Sequence, residues 1–370
     1  MVYPFLPVFA RALGVDLATM SLAMSARSAA GALGPLVAPW TDRRGRGFGL
    51  SLGLGLFAAG AFLALVGPGF PAFAAALVLM TVGKYVIDPA ILAHLSDVVP
   101  YGKRGRSLAL TELSWALAFV LGVPAAGFLL VRFGPRAPFA ALAVLGLAGL
   151  AGARAILPGA SAPAGPAGHR ESYRAVFRSP AALSGLAVIL AVSMANELVS
   201  FVLGVWLEDS FGLRIAALGA AAAAIGLAEL GGEGLVAATV DRLGKTRALM
   251  IGLAANAAAA ALLPLSGRTT AAALAGLALF YMTFEFTVVS LIPVMSEILP
   301  QARATLLAFF AASFSLGRAV GSLLSPRLYG LGFPAVALAA AGLNAVAFLF
   351  LLRLRRLRRA AARGPEAVRD

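Results

Sequence analysis

Nine ionisable residues lie inside long apolar stretches of this chain, where each charge costs about 2.5–3.5 kcal/mol unless it is paired or hydrated. Three are basic and six are acidic: Arg27, Lys84, Arg318, Asp88, Glu112, Glu197, Glu229, Glu233 and Glu285. Because the acids exceed the bases by three, complete internal pairing is impossible. We therefore expect these side chains to line a polar interior, where protons, a cationic solute, alkali ions or water meet the excess negative charge.

The spacing of four of these residues predicts how they interact. Lys84 and Asp88 are four residues apart, so on a helix they can form a pair on one face. Glu229 and Glu233 have the same spacing but carry like charges. Two carboxylates on one helix face cannot both ionise cheaply in a low dielectric, so one must hold a proton or face a cation from a neighbouring helix.

Several kinds of chemistry have no residues to support them. The chain has no cysteine and two histidines, which excludes disulfides, thiolate nucleophiles and a His-rich metal site. No Ser/His dyad, metal-binding motif or phosphate-binding glycine loop is present. We expect no enzyme activity, no catalytic residues, no cofactor and no metal.

The composition places most of the chain in a membrane. Of 370 residues, 61% are hydrophobic and 12% are charged, which excludes a soluble enzyme, a nucleic-acid-binding protein and a disordered chain. An all-α integral membrane protein follows, because eleven apolar stretches can cross a hydrocarbon core of about 30 Å as helices. They are 17–40, 48–66, 72–98, 107–131, 137–157, 181–206, 215–240, 248–265, 271–298, 304–327 and 334–352.

The basic residues predict the orientation of these spans. The turns at 42–47, 100–106, 154–180, 241–247 and 300–303, with the tail 353–370, hold 21 Lys and Arg residues, whereas the opposite turns hold six. The positive-inside rule then places the C-terminus in the cytoplasm. The arginine-rich run that starts at Arg353 is expected to stop transfer and to lie on anionic headgroups without a specific lipid site.

Two sequence motifs recur at nearly one offset. Ser96-Asp97-Val98-Val99-Pro100 returns 200 residues later as Ser296-Glu297-Ile298-Leu299-Pro300, and the loop 42–46 returns 199 residues later at 241–245. A duplicated six-helix unit explains both matches. The predicted domains are bundles at 1–157 and 181–352, a central cytoplasmic linker at 158–180, and the basic tail. The offset also predicts that the apolar residues 1–13 end a first helix that is truncated at its N-terminus.

The loop between the second and third helices carries a family resemblance. Asp42-Arg43-Arg44-Gly45-Arg46 resembles the Gly-x-x-x-Asp-Arg-x-Gly-Arg-Arg signature of the major facilitator superfamily, with departures at Ala38 and Gly47. The resemblance covers the whole chain and implies two six-helix halves that rock around a central cavity. It also implies that the loop residues lock the cytoplasmic side, namely Asp42, Arg43, Gly45, Arg46 and, in the repeat, Asp241, Arg242, Gly244 and Lys245.

Two further acids lie at the predicted cytoplasmic boundary. Asp97 and Glu297 are three residues before prolines. We expect them to complete the gate by pairing with loop arginines such as Arg104, Arg106 and Arg303. Asn196, beside Glu197, either bonds a substrate hydroxyl or bonds across helices, and the sequence leaves both open.

The resemblance and the charges together predict a monomeric secondary transporter of small organic solutes in a bacterial inner membrane. The excess carboxylates favour proton-coupled efflux, and Gly122-Val123-Pro124-Ala125-Ala126-Gly127 resembles the Gly/Pro-rich motif of antiporters in that family. Coupling is predicted at Glu229, Glu233 and Glu285, tuned by Arg27, Lys84 and Arg318. The alternatives are a passive facilitator, a proton symporter, acids that select a cationic substrate, and a receptor or lipid-handling protein that does not transport.

Overall fold

The computed structural model describes residues 2–36, 44–98, 117–156 and 169–362. Short 3-10 turns lie at Tyr3–Phe5 and Pro300–Ala302, and a π-helical turn lies at Ala118–Gly122. The α-helices are α1 (Leu6–Leu13), α2 (Leu17–Gly31), α3 (Arg46–Val66), α4 (Gly69–Val98), α5 (Val123–Phe133), α6 (Ala137–Ile156), α7 (His169–Arg178), α8 (Pro180–Phe211), α9 (Ile215–Leu243), α10 (Lys245–Ser266), α11 (Thr270–Ser296), α12 (Arg303–Tyr329) and α13 (Phe333–Ala362).

In the described part of the chain, nine helices are long and apolar enough to cross a membrane. They are α3, α4, α6 and α8 to α13, and the all-α fold predicted from the sequence is confirmed. The helix bounds fall within a few residues of most predicted spans. One difference is the predicted span 17–40, which is interrupted after Gly31 by a turn at Ala32 and Leu33. The predicted span 107–131 lies partly outside the described residues.

Helix starts repeat along the chain at nearly the spacing of the sequence motifs. Helices α2, α3 and α4 begin at residues 17, 46 and 69, and helices α9, α10 and α11 begin at residues 215, 245 and 270. The corresponding offsets are 198, 199 and 201 residues. The helices therefore follow the same internal repeat as the loop motifs.

The chain forms two compact units, Met1–Ala167 with Ser200–Leu227, and Gly168–Val199 with Ala228–Asp370. Helices α8 and α9 thus contribute residues to both. In the first unit, α1, α4 and α6 meet through the rings of Phe9, Phe73 and Phe139, whose centroids lie 5.5 to 5.8 Å apart. Such tilted and edge-on ring pairs add to the stability that burial alone provides.

A short amphipathic helix, α7, occupies the end of the predicted linker and belongs to the second unit. Tyr173 and Phe177 stack edge-on against Phe309 of α12, with ring centroids 5.3 and 5.1 Å away. The predicted linker 158–180 is rich in Pro, Ala and Gly before a basic stretch and divides the apolar segments into two groups. Its last turns fold because two aromatic side chains, four residues apart, share one face.

A buried amide network joins three helices of the second unit. Asn256 of α10 donates through Nδ2 to the Phe280 carbonyl oxygen at 2.8 Å and to Thr283 Oγ1 at 3.0 Å, both on α11. Its Oδ1 accepts from Asn344 Nδ2 of α13 at 2.7 Å. Both asparagines are fully buried. Polar contacts of this kind hold helices together where lipid removes most of the hydrophobic driving force.

Helices α8 and α12 of the second unit approach each other along two glycines. A Cβ atom built on Gly321 would lie 2.7 Å from Cβ of Glu197 and 2.9 Å from the Met194 carbonyl oxygen, and one built on Gly317 would collide with Ser193. Gly317 and Gly321 are four residues apart, as in the small-residue interfaces that let membrane helices pack closely. This close approach brings Glu197 against α12.

We predict that Gly321→Ala destabilises the protein by about 1–3 kcal/mol, because the added methyl group overpacks the α8–α12 contact. The matched control is Gly234→Ala on α9, where an added Cβ meets nothing within 4 Å and helix propensity gains up to about 1 kcal/mol. Unfolding of the purified protein in detergent, followed by tryptophan fluorescence, measures both changes. Equal effects of the two substitutions would contradict a tight contact at Gly321.

Candidate functional site

The most deeply buried charge of the described chain is the carboxylate of Glu197 on α8. Its side chain is 0% exposed, and its Oε2 accepts a hydrogen bond of 2.8 Å from Nε of Arg318 on α12. Ser322, one turn further along α12, donates its hydroxyl to Oε1 at 2.6 Å. Charge pairing and hydrogen bonding together offset the cost of removing a carboxylate from water.

The neighbouring turns of α12 reinforce this contact. Ser325 donates its hydroxyl to the Leu198 carbonyl oxygen at 2.6 Å and is itself fully buried. The Arg318 guanidinium also lies 5.8 Å from the centre of the Phe314 ring, within reach of a cation–π interaction. The Arg318 side chain is therefore held between a carboxylate and an aromatic face.

One further carboxylate interacts with this guanidinium, and two more interact with that carboxylate. Glu229 of α9 interacts electrostatically with Glu285 of α11, with Arg318 and with Glu233 on its own helix. The backbones of α9 and α11 approach closely here, since a Cβ built on Gly232 would lie 3.2 Å from Cβ of Glu285. We call Glu197, Glu229, Glu233, Glu285 and Arg318 the acid cluster. It contains four carboxylates and one guanidinium.

The acid cluster gathers five of the ten predicted cavity residues on four helices of the second unit. Asn196, also in this unit, is buried next to Glu197. Among the described residues no three His, Asp or Glu side chains are placed to hold a metal ion. The chemistry open to the cluster is the binding of protons or of a cation.

The first unit holds three more of the predicted cavity residues. Arg27 of α2 donates from Nη1 to the Tyr3 hydroxyl at 3.2 Å, and its guanidinium lies 5.3 Å from the centre of that ring. Lys84 and Asp88 form the predicted pair along α4. Both of these side chains are nearly half exposed, so this pair is far less desolvated than the one formed by Glu197.

A second ion cluster joins the ends of three helices in the second unit. Glu297, which follows α11, forms ion pairs with Lys245 at the start of α10 and with Arg358 near the end of α13, the latter at 2.9 Å. The expected partner Arg303 instead donates from Nε to the Ser296 carbonyl oxygen at 2.9 Å. Arg303 caps the end of α11, because helix ends leave backbone carbonyls in need of donors.

The glycine of each copy of the loop motif has the same backbone role. Gly45 has φ 92° and ψ 154° just before α3, and Gly244 has φ 80° and ψ 136° just before α10. Residues with a side chain rarely adopt a positive φ of this size. Glycine is therefore needed where each of these loops turns into the next helix.

Some predicted residues cannot be placed. Asp42, Arg43, Arg104, Arg106 and Glu112 lie outside the described residues, and so do the side chains of Arg46 and Asp97. Asp241 and Arg242 lie at the exposed end of α9, in the turn that leads to Lys245.

Three contributors to these sites were not predicted from the sequence. Tyr3 and Ser322 gave no signal, because hydroxyl side chains occur throughout membrane helices. Arg358 was assigned to a tail that only contacts headgroups. Its position on one face of a continuing helix, level with the start of α10, could have indicated a partner across the bundle.

The fold and the acid cluster define a multi-pass α-helical membrane protein with desolvated charges between its helices. The chain matches the Major Facilitator Superfamily over residues 1–305 and belongs to that family. It is therefore a membrane transporter rather than an enzyme.

Three proteins are similar to this chain in sequence or in fold. The uncharacterized MFS-type transporter YwfA of Bacillus subtilis (strain 168) is 28% identical over 365 residues, covering 94% of this chain and 86% of that protein. Multidrug resistance protein 2 of the same organism is 26% identical over 140 residues, 38% of this chain and 35% of that protein. A POT family transporter solved with a thioalcohol-conjugated peptide superposes with a TM-score of 0.78 at 13% identity, covering 97% of this chain and 91% of that one.

We predict that Arg318→Gln lowers the free energy of unfolding by about 3–5 kcal/mol, because it leaves the Glu197 carboxylate buried without its cation. Arg327→Gln is the matched control, since Arg327 lies on the same helix and is exposed; it should cost less than about 0.5 kcal/mol. The double variant Glu197→Gln with Arg318→Gln should recover part of the loss. If the effects of Glu197→Gln and Arg318→Gln were additive in the double variant, the ion pair would contribute nothing to the free energy of unfolding.

The second ion cluster predicts a pH-dependent part of the stability. The hydrogen bond from Lys245 and the nearby Arg358 guanidinium hold the pKa of Glu297 below its usual value of 4.5. A lowered pKa stabilises the folded state fully above the usual value, and the contribution disappears as the pH falls through the folded-state pKa.

Glu297→Gln should therefore melt at a lower temperature than wild type at pH 7, and the difference should close below about pH 4.5. Thermal unfolding in detergent from pH 7 to pH 3.5 measures this convergence. Glu171→Gln, an exposed acid on α7, serves as the control and should show no such trend. A constant difference between Glu297→Gln and wild type would contradict the ion cluster.

Proposed function

We propose that this transporter exports small organic solutes in exchange for protons, by alternating access of its two halves. Membership of the family supplies the transport activity. The proposal for coupling rests on one observation, the charge balance of the acid cluster.

The acid cluster carries one positive charge against four carboxylates. Arg318 is already bonded to Glu197, and Glu229 interacts with two further carboxylates, Glu285 and Glu233. Carboxylates crowded together in a membrane interior take up protons or bind a cation, because several negative charges in a low dielectric repel one another. A proton site that exchanges with one side of the membrane at a time would couple proton flow to transport.

The direction of transport has independent support. Similarity to multidrug resistance protein 2 extends over 38% of this chain. The Gly/Pro-rich segment lies where the π-helical turn Ala118–Gly122 passes into α5, with Pro124 in the first turn of that helix. The similarity to multidrug resistance protein 2 and the resemblance of 122–127 to an antiporter motif both favour export. Cation selection by the same carboxylates is the competing function, since it uses the same excess charge.

We propose that the second ion cluster is part of the cytoplasmic gate. Lys245, Glu297 and Arg358 link the ends of α10, α11 and α13, beside the loop residues Asp241 and Gly244. Breaking and forming such surface pairs costs little, about 0–1 kcal/mol each, so they can control opening without locking it. Because Arg358 lies near the end of α13, this assignment includes a cytoplasmic C-terminus; we further propose a monomer in a bacterial inner membrane.

We predict that Glu229→Gln and Glu285→Gln each abolish transport driven by a pH gradient while counterflow exchange of substrate continues. Neutral glutamine keeps the shape of the side chain but cannot release a proton. The measurement uses proteoliposomes and a substrate identified by growth rescue from a panel of lipophilic antimicrobial compounds.

Glu208→Gln provides the matched control. Glu208 lies near the end of α8, away from Glu197, and forms an exposed ion pair of 2.7 Å with Arg11. This variant should retain gradient-driven transport. Loss of binding and exchange together in the Glu229 and Glu285 variants would favour cation recognition instead. If gradient-driven transport were unchanged, proton coupling would have to reside on other carboxylates, and Asp88 and Glu112 would be tested next.

A further inference from the structure

A groove of about 750 Å³ lies between α10 and α13 in the second unit. The groove is lined by four arginines, one threonine and several apolar side chains, and no acid lines it. The lining residues are Thr246, Arg247, Met250, Ile251, Ala254, Phe348, Arg355, Arg358 and Arg359. The groove lies apart from the residues of the acid cluster, and neither the family nor the proposed function assigns it a ligand.

The groove has a charged end and an apolar end, and the sequences of α10 and α13 explain both. Helix α10 begins at Lys245 and becomes apolar after Arg247, and α13 is apolar up to the arginine run that starts at Arg353. The arginines therefore gather at one end of both helices, where apolar spans give way to charge. This end is the boundary between hydrocarbon and water, at which long basic side chains reach toward headgroups.

The side chains that line the groove indicate which kind of ligand fits it. Arginine matches phosphate oxygens with paired donors and remains charged at every physiological pH. Ile251 and Ala254 are exposed and lead from the arginines along the apolar face of α10. A free anion would use only the charged end, whereas a lipid would use both ends.

We propose that this groove is a binding site for one anionic phospholipid. The phosphate of the headgroup lies among Arg247, Arg355 and Arg359, and an acyl chain lies along Ile251 and Ala254. Basic pockets between membrane helices recognise anionic headgroups in this way, and the volume is within the range of about 300–1,000 Å³ typical of ligand sites.

The groove and the second ion cluster have one residue in common. Arg358 lines the groove and also donates to Glu297 at 2.9 Å. A bound headgroup would thus add a negative charge beside the guanidinium that Glu297 holds. Because Arg358 serves both features, the variants that test the lipid site leave it unchanged.

The test uses the full-length protein in detergent and native mass spectrometry, with dioleoylphosphatidylglycerol and dioleoylphosphatidylcholine as the two probes. Wild type should bind the first phosphatidylglycerol several-fold more tightly than phosphatidylcholine. Arg355→Gln with Arg359→Gln should weaken phosphatidylglycerol binding about 25-fold, since each arginine near an anionic headgroup contributes roughly a factor of five.

The matched control is Arg353→Gln with Arg356→Gln, which removes the same charge from the same helix at positions that do not line the groove. It should stay within about twofold of wild type. Equal weakening by both double variants, or no preference for phosphatidylglycerol in wild type, would overturn the proposal by showing general attraction to a basic tail.

A second pair of variants tests the apolar half without changing charge. Ala254→Trp fills the groove and should weaken phosphatidylglycerol binding, whereas Ala258→Trp, one turn further along the exposed face of α10, should not. Unchanged binding in Ala254→Trp would overturn the acyl-chain contact. Displacement of the lipid by 10 mM inorganic phosphate would show a site for free anions and overturn the lipid assignment.

Discussion

The buried pair between Glu197 and Arg318 is the interaction on which the second unit depends most. A carboxylate with no exposed surface is stable only beside a cation and additional hydrogen-bond donors, and Arg318 and Ser322 supply both. These partners can reach Glu197 only because Gly321 lets α12 approach α8 within side-chain distance. The charge pair and the glycine contact therefore depend on each other, and a change in either one disturbs both.

The pairing of Arg318 with Glu197 also affects the electrostatic environment of the other carboxylates in the acid cluster. Because Arg318 donates its Nε to Glu197, it does not fully neutralise Glu229, which also interacts with Glu285 on another helix. Counted over the cluster's own side chains, positive charge therefore falls three short of negative charge. A proton or a cation that enters relieves this shortage, and a helix movement that displaces Arg318 changes how tightly that ion is held.

Sequence patterns predicted most of the membrane spans, but they predicted few of the contacts between charged side chains. The pair of Lys84 and Asp88 followed from spacing along one helix, because neighbouring turns fix which side chains meet. The partner of Glu197 is 121 residues away, and the choice of α12 depends on packing that local periodicity does not encode. Glu297 shows the same limit, since its partner Arg358 is 61 residues distant and resembled an ordinary stop-transfer residue.

The two units also differ in how their intramembrane charges respond to motion. The pair in the first unit, Lys84 with Asp88, lies within α4 and survives any rigid movement of that helix. The pair in the second unit, Glu197 with Arg318, joins two helices, so a shift of one against the other must stretch or break it. Electrostatic energy changes with helix movement only for the second kind of pair. If ion binding drives conformational change in this transporter, the Glu197–Arg318 pair therefore offers a physical linkage in the second unit.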